Sequence, residues 1–149
     1  MKVVLRKLPV FLLLLFFISF NSYSQVEFVS EQNGTITIRT EGTNKKIEDA
    51  ISDAEKYVFY TIFYQGIPGS TLKNGLIDKS ENEVEESNKE YFKSFYENRY
   101  KSFIISVNQN GNIIKGKHRQ KSIFFDITVN SDALRRDLEN NQVIRKLGY

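Results

Sequence analysis

His118 is the only imidazole in the 149-residue chain, and it lies in the run Lys115-Gly116-Lys117-His118-Arg119-Gln120-Lys121. A hydrolytic triad needs such a ring held by a carboxylate and facing a nucleophile. No nucleophile-elbow motif accompanies it, so His118 reads as a solvated loop residue. The cations around it are the stronger signal. Lys115, Lys117, Arg119 and Lys121 share strand parity, so an extended backbone lines them along one face. Such a face suits phosphate, an anionic polysaccharide or an acidic partner, or it protects a sheet edge from aggregation. No aromatic residue interleaves with the cations, which argues against a base-stacking platform and so against nucleic acid.

A second charged run holds Asp78, Glu81, Glu83, Glu85 and Glu86. It lacks the spacing and central glycine of a calcium-binding loop, and reads as a solvated loop and helix cap. Arg99 sits in an apolar stripe, and Tyr60, Tyr64, Tyr91 and Tyr96 could converge near it. Phe59 and Phe63 are four apart, on the side of a helix opposite its main apolar stripe. Either the chain covers them, which is the favoured reading, or they form a patch for a partner. The candidate partner-binding residues are therefore Phe59, Phe63, Lys115, Lys117, Arg119 and Lys121.

Composition narrows the chemistry further. Zero Cys excludes disulfides, thiolate nucleophiles and iron–sulfur clusters, and one His excludes a His-rich metal site. No cofactor, metal site or catalytic residue is expected, and the chain reads as a non-enzyme.

Residues 1–24 read as a secretory signal. Lys2, Arg6 and Lys7 precede an apolar run from Val10 to Phe20, and Ser22 and Ser24 sit at the recognition positions for cleavage before Gln25. The run is shorter than the roughly 20 residues of a spanning helix, so the mature chain is not expected to cross a membrane. No Cys follows for lipidation. The remaining 125 residues carry 18 basic and 18 acidic groups, so the net charge of +3 belongs to the signal. That charge is split. Residues 25–97 hold 14 acids and 8 bases, and residues 98–149 hold 4 acids and 10 bases. The two poles either attract within one fold or pair between molecules in head-to-tail self-association.

The elements that must position these groups follow from periodicity. Thr35–Thr40 alternates as a strand after the turn signal Asn33-Gly34; Val26–Val29 is a weaker partner for it. Ile47, Ala50, Ile51, Ala54, Tyr57, Val58, Thr61 and Ile62 recur at helical spacing, predicting a helix from about 44 to 64 that ends at Gly66. Residues 65–86 read as a long loop. Ser87-Asn88-Lys89-Glu90 reads as a capping box opening a second helix to about 102. Phe103, Ile105 and Val107 alternate, Asn110-Gly111 signals a hairpin, and Ile123–Val129 alternates again. Residues 112–120 either extend this ladder or form a loose loop. Ser131 caps a short last helix with Leu134 and Leu138. The expected class is α+β: about three antiparallel strands with two long helices and a short C-terminal helix on one face, in the order β-α-α-β-β-α, making one domain over 25–149.

The strand ending Thr40-Glu41-Gly42, the helix with Ala50 and Ala54, and the closing segment Leu134-Arg135-Arg136-Asp137-Leu138 resemble a small bacterial envelope domain. It is the N-terminal domain of the flagellar-assembly T protein, shared with related twenty-kilodalton outer-membrane lipoproteins. The resemblance covers roughly 35–140 and is structural, so it carries no functional residue. This chain departs from it in lacking a lipidation Cys and in having Val58 where a small residue is expected. It implies an exported, periplasmic or outer-envelope component that docks onto other proteins without chemistry of its own. The alternative from the residues is a small-ligand binder or enzyme with a pocket beneath the 65–86 loop.

Overall fold

The computed structural model describes residues 26–146; the expected signal segment lies outside them. Four strands form one antiparallel sheet: β1 (Val26–Gln32), β2 (Thr35–Asn44), β3 (Ile104–Lys115) and β4 (Lys121–Asn130), in the order β1-β2-β4-β3. The helices are α1 (Ile47–Tyr60), α2 (Glu81–Ser87), α3 (Lys89–Glu97) and α4 (Ser131–Asn140). The class is α+β, as the periodicities indicate. Among the described residues no helix is long and apolar enough to cross a membrane.

Alternation sets the two faces of the sheet. Ile36, Ile38 and Thr40 of β2 and Ile123, Phe125, Ile127 and Val129 of β4 are buried on one face. Helix α1 lies on that face with Ala50, Ala54 and Val58 fully buried. The approach is close because both partners are small. A Cβ at Gly42 would stand 2.2 Å from the Ala50 carbonyl oxygen. The last turn of α1 widens into a π-helical segment, Thr61–Gln65, in which Gly66 N–H donates to the Thr61 carbonyl at 2.8 Å. The other face is polar. Arg39 donates to both oxygens of Asp126 on the neighbouring strand, at 2.8 and 3.1 Å, and reaches Glu27 on β1 at 3.3 Å. Asn110 of β3 donates to the same aspartate at 2.9 Å, so one polar row crosses all four strands. Arg39 holds the Asp126 carboxyl below the usual range through that hydrogen bond, against the opposing effect of burial.

Several expectations are corrected. The sheet has four strands rather than three, because a bulge between Phe28 and Ser30 sets Val26 and Phe28 opposite Thr40 and Ile38 and turns Val29 outward. The Asn110-Gly111 pair does not close the hairpin. Gly111 takes its left-handed conformation (φ 85°) inside a bulge, and the ladder resumes at Ile114–Ser122 and Lys115–Lys121. The expected second helix begins at Lys89 and stops at Glu97 as α3, and a further helix, α2, precedes it across Asn88 where residues 81–86 read as loop. Ser87 bonds back to the Glu83 carbonyl, so the expected capping box does not form. Arg99–Phe103, expected in large part as helix, is a tighter 3-10 segment.

Phe59 and Phe63 are fully buried, which removes them as a partner-binding patch. Their aromatic neighbours lie on α3 and the 3-10 segment, and Ile67, Leu72 and Ile77 of the 65–80 segment are buried in the same core. Phe59 meets Phe95 edge-on at 5.3 Å and Tyr100 at 5.8 Å, and Phe63 meets Phe92 at 6.0 Å and Phe95 at 5.2 Å. Helix α3 and the 3-10 segment thus form an aromatic layer over the back of α1. Arg99 fixes that layer to α4: its Nη2 donates to both Asp137 oxygens, at 2.6 and 2.7 Å, while Tyr91 donates its hydroxyl to the same carboxylate at 2.8 Å.

Candidate docking site

The basic run forms the tip of the β3–β4 hairpin. Gly116 N–H donates to the Gln120 carbonyl at 2.8 Å, and Gln120 N–H to the Lys117 carbonyl at 3.2 Å. Between them His118 (φ 56°) and Arg119 (φ 64°) are both left-handed. Positive φ at both central residues is the signature of a mirror-image turn, which normally takes Asn-Gly. Here two side chains with Cβ atoms are held in that strained region.

The charges at the tip are also unfavourably placed. Lys115 and Lys121 face each other directly in the ladder, and like charges so placed repel. None of the side chains of Lys115, Lys117, His118, Arg119 or Lys121 makes an ion pair or hydrogen bond with another described residue. Because the chain turns at 117–120, the four cations do not line one extended strand, although Lys115 and Lys121 share a face of the sheet as cross-strand partners. The turn wraps them around a projecting end. Behind it Ile114 is 57% exposed, Ile113 37% and Phe124 39%. The tip combines strain, unbalanced charge and bare apolar surface in one place.

The tyrosines divide between two places. Tyr60 and Tyr64 on α1 and its π turn meet Glu81 and Glu85 on α2, with hydroxyl donors at 3.1 and 3.2 Å. Each pair is spaced i, i+4, so the two helices zip together along matching stripes. Tyr60, Glu81 and Glu85 with Asp53, Lys56, Tyr57 and Tyr96 line an open groove of about 430 Å³, and Tyr64 bonds to the lining Glu85. The Glu81 carboxylate raises the Tyr60 pKa, and burial raises those of Tyr64 and Tyr96, so all three phenols stay protonated donors near neutral pH. Tyr91 lies instead in the Arg99–Asp137 cluster, where burial is the main cause of its raised pKa.

A larger cleft, about 880 Å³, lies between residues 76–79 and the end of α4, lined by Leu76, Lys79, Arg135, Glu139, Val143 and Ile144 among others. Arg99, the group expected at the base of a ligand pocket, is instead committed to Asp137. Among the described residues no group of three or more His, Asp or Glu side chains is arranged to hold a metal ion.

Comparison of the chain with protein-family models, curated proteins and solved structures returns no match.

Proposed function

We propose that this chain is an exported bacterial envelope component that acts as a non-catalytic binding or assembly module, with the β3–β4 hairpin tip as its docking element. The observation that carries this reading is the turn at His118-Arg119. A residue pair disfavoured by its backbone conformation, surrounded by cations without counter-charges, closes the hairpin at a greater cost in stability than Asn-Gly would. Strain of that kind is kept where it presents side chains to a partner. The resemblance to an envelope domain and the signal-like residues 1–24 support the location. An acidic protein surface fits the tip best, since it would supply the missing counter-charges while its rim covers Ile113, Ile114 and Phe124.

The test is affinity capture from envelope extracts of the native host, with the wild-type protein beside the double variant Lys117→Glu with Arg119→Glu. Loss of specific partners in the variant, with melting unchanged, supports the tip as the docking element. Identical capture by both proteins excludes it. Intact-mass measurement on the same material tests export: the expected mass begins at Gln25, and a mass retaining Met1 to Ser24 contradicts the signal reading.

A further inference from the structure

We infer that the partner of the hairpin tip is the tyrosine–carboxylate groove of a second copy of this chain, so that copies assemble head to tail. This rests on the docking reading above and names its occupant. The groove offers Asp53, Glu81 and Glu85 against the single cation Lys56. Tyr60 and Tyr64 each occupy one carboxylate oxygen of Glu81 and Glu85, and the other oxygen of each has no partner among the described residues. A guanidinium or ammonium group entering the groove therefore finds free acceptors already oriented by phenol donors. It also finds aromatic walls: the Tyr57 and Tyr60 rings are stacked at 6.2 Å. Cations bind such ring faces as well as carboxylates.

The tip presents the complementary groups, and no described cation of the tip uses the groove within its own molecule. The order of groups along the hairpin argues against an anionic bilayer as the alternative occupant. Membrane-inserting tips carry apolar residues outermost and cations behind them at the headgroup level. Here Lys117, His118 and Arg119 are outermost, and Ile113, Ile114 and Phe124 lie behind. A carboxylate groove with a rim accepts that order. Because tip and groove are different surfaces, the contact is heterologous and propagates from copy to copy unless it closes into a ring.

The experiment is sedimentation velocity on the purified protein over a range of concentration and salt. The wild type is expected to assemble with concentration, more weakly as salt rises. Two variants reverse one surface each: Lys117→Glu with Arg119→Glu at the tip, and Asp53→Lys with Glu81→Lys at the groove. Each alone now carries like charges on both surfaces, and its association is expected to weaken by about tenfold or more. Mixed, the two restore opposite charges at both contacts and should assemble together. Unchanged melting of each variant verifies folding. A wild type that stays monomeric at low salt overturns the inference, as does a mixture that fails to assemble. If in that case the tip variant still loses captured envelope proteins, the docking reading stands and another protein is the occupant. Tip-dependent binding of the monomer to anionic phospholipid vesicles would overturn the inference in favour of a membrane.

Discussion

Replacing His118 by Asn and Arg119 by Gly should make the protein more stable and less able to dock. The left-handed conformation costs a residue with a Cβ about 1–2 kcal/mol. His tolerates it better than most residues, so His118 contributes the lower end and Arg119 the upper. Glycine at 119 returns some of the gain, about 0.4–1 kcal/mol, by widening the unfolded ensemble. The Asn introduced at 118 still carries part of that cost, so the net expectation is about 1–2 kcal/mol of added stability. For a domain of this size that corresponds to roughly 4–8 °C in melting temperature. A control separates strain from charge. Arg119→Gln keeps the strained backbone and removes the cation, so melting should hold while docking weakens. Differential scanning calorimetry reads the first quantity, and capture or sedimentation reads the second. A double variant that melts no higher than the wild type refutes the strain argument. One that melts higher and docks equally well shows that the turn is not there for a partner.

Asp137→Ala should destabilise by about 2 kcal/mol, a value for charge-assisted hydrogen bonds reduced because Arg99 is 37% exposed. In a denaturant cycle with Tyr91→Phe the two losses should be less than additive, and strict additivity would mean that the hub is not one unit. Phe63→Ala should cost about 3–5 kcal/mol, since the ring is fully buried among Phe59, Phe92 and Phe95; unchanged melting would place it on the surface after all. The raised folded pKa values of Tyr64, Tyr91 and Tyr96 contribute stability that is intact below the free phenol value near 10 and is lost as pH rises above it. Alkaline unfolding should therefore be cooperative with phenolate absorbance, and phenolate appearing well before unfolding would contradict their burial.

The sequence was most legible where one period ran unbroken. β2, the body of α1, β4 and α4 fall where alternation or helical spacing places them, because each has one face committed to the core. It was least legible where a local exception resets the pattern. The bulge after Phe28 rescued a strand whose simple alternation paired poorly, and the bulge at Gly111 used a turn-forming pair without turning. Helix α2 was hidden because its acids read as a loop; its i, i+4 match to Tyr60 and Tyr64 was present but needed a partner helix to have meaning. The cations of the tip were legible as a cluster. Their arrangement was not, since it depends on where the hairpin turns. Asp137 gave no signal at all: an aspartate on a short helix acquires its role only when Arg99 and Tyr91 are brought to it.

The hydrogen bond between Thr37 and Thr128 joins residues 91 apart, and the one from Ser131 to the Gly34 carbonyl spans 97. The middle of the sheet is thus built from the two ends of the chain, and the first hairpin is locked by the last helix. An emerging N-terminal portion holds β1, β2 and α1 with half the inner surface of the sheet missing. It must wait for β4, 91 residues further on at the Thr37–Thr128 contact, before the central pairing can close. Contacts of such long sequence separation slow folding and make it a late, concerted event. A chain that leaves the cytoplasm through a narrow translocon must stay unfolded until it is across. For the export proposed above, the delay written into the strand order suits such a passage.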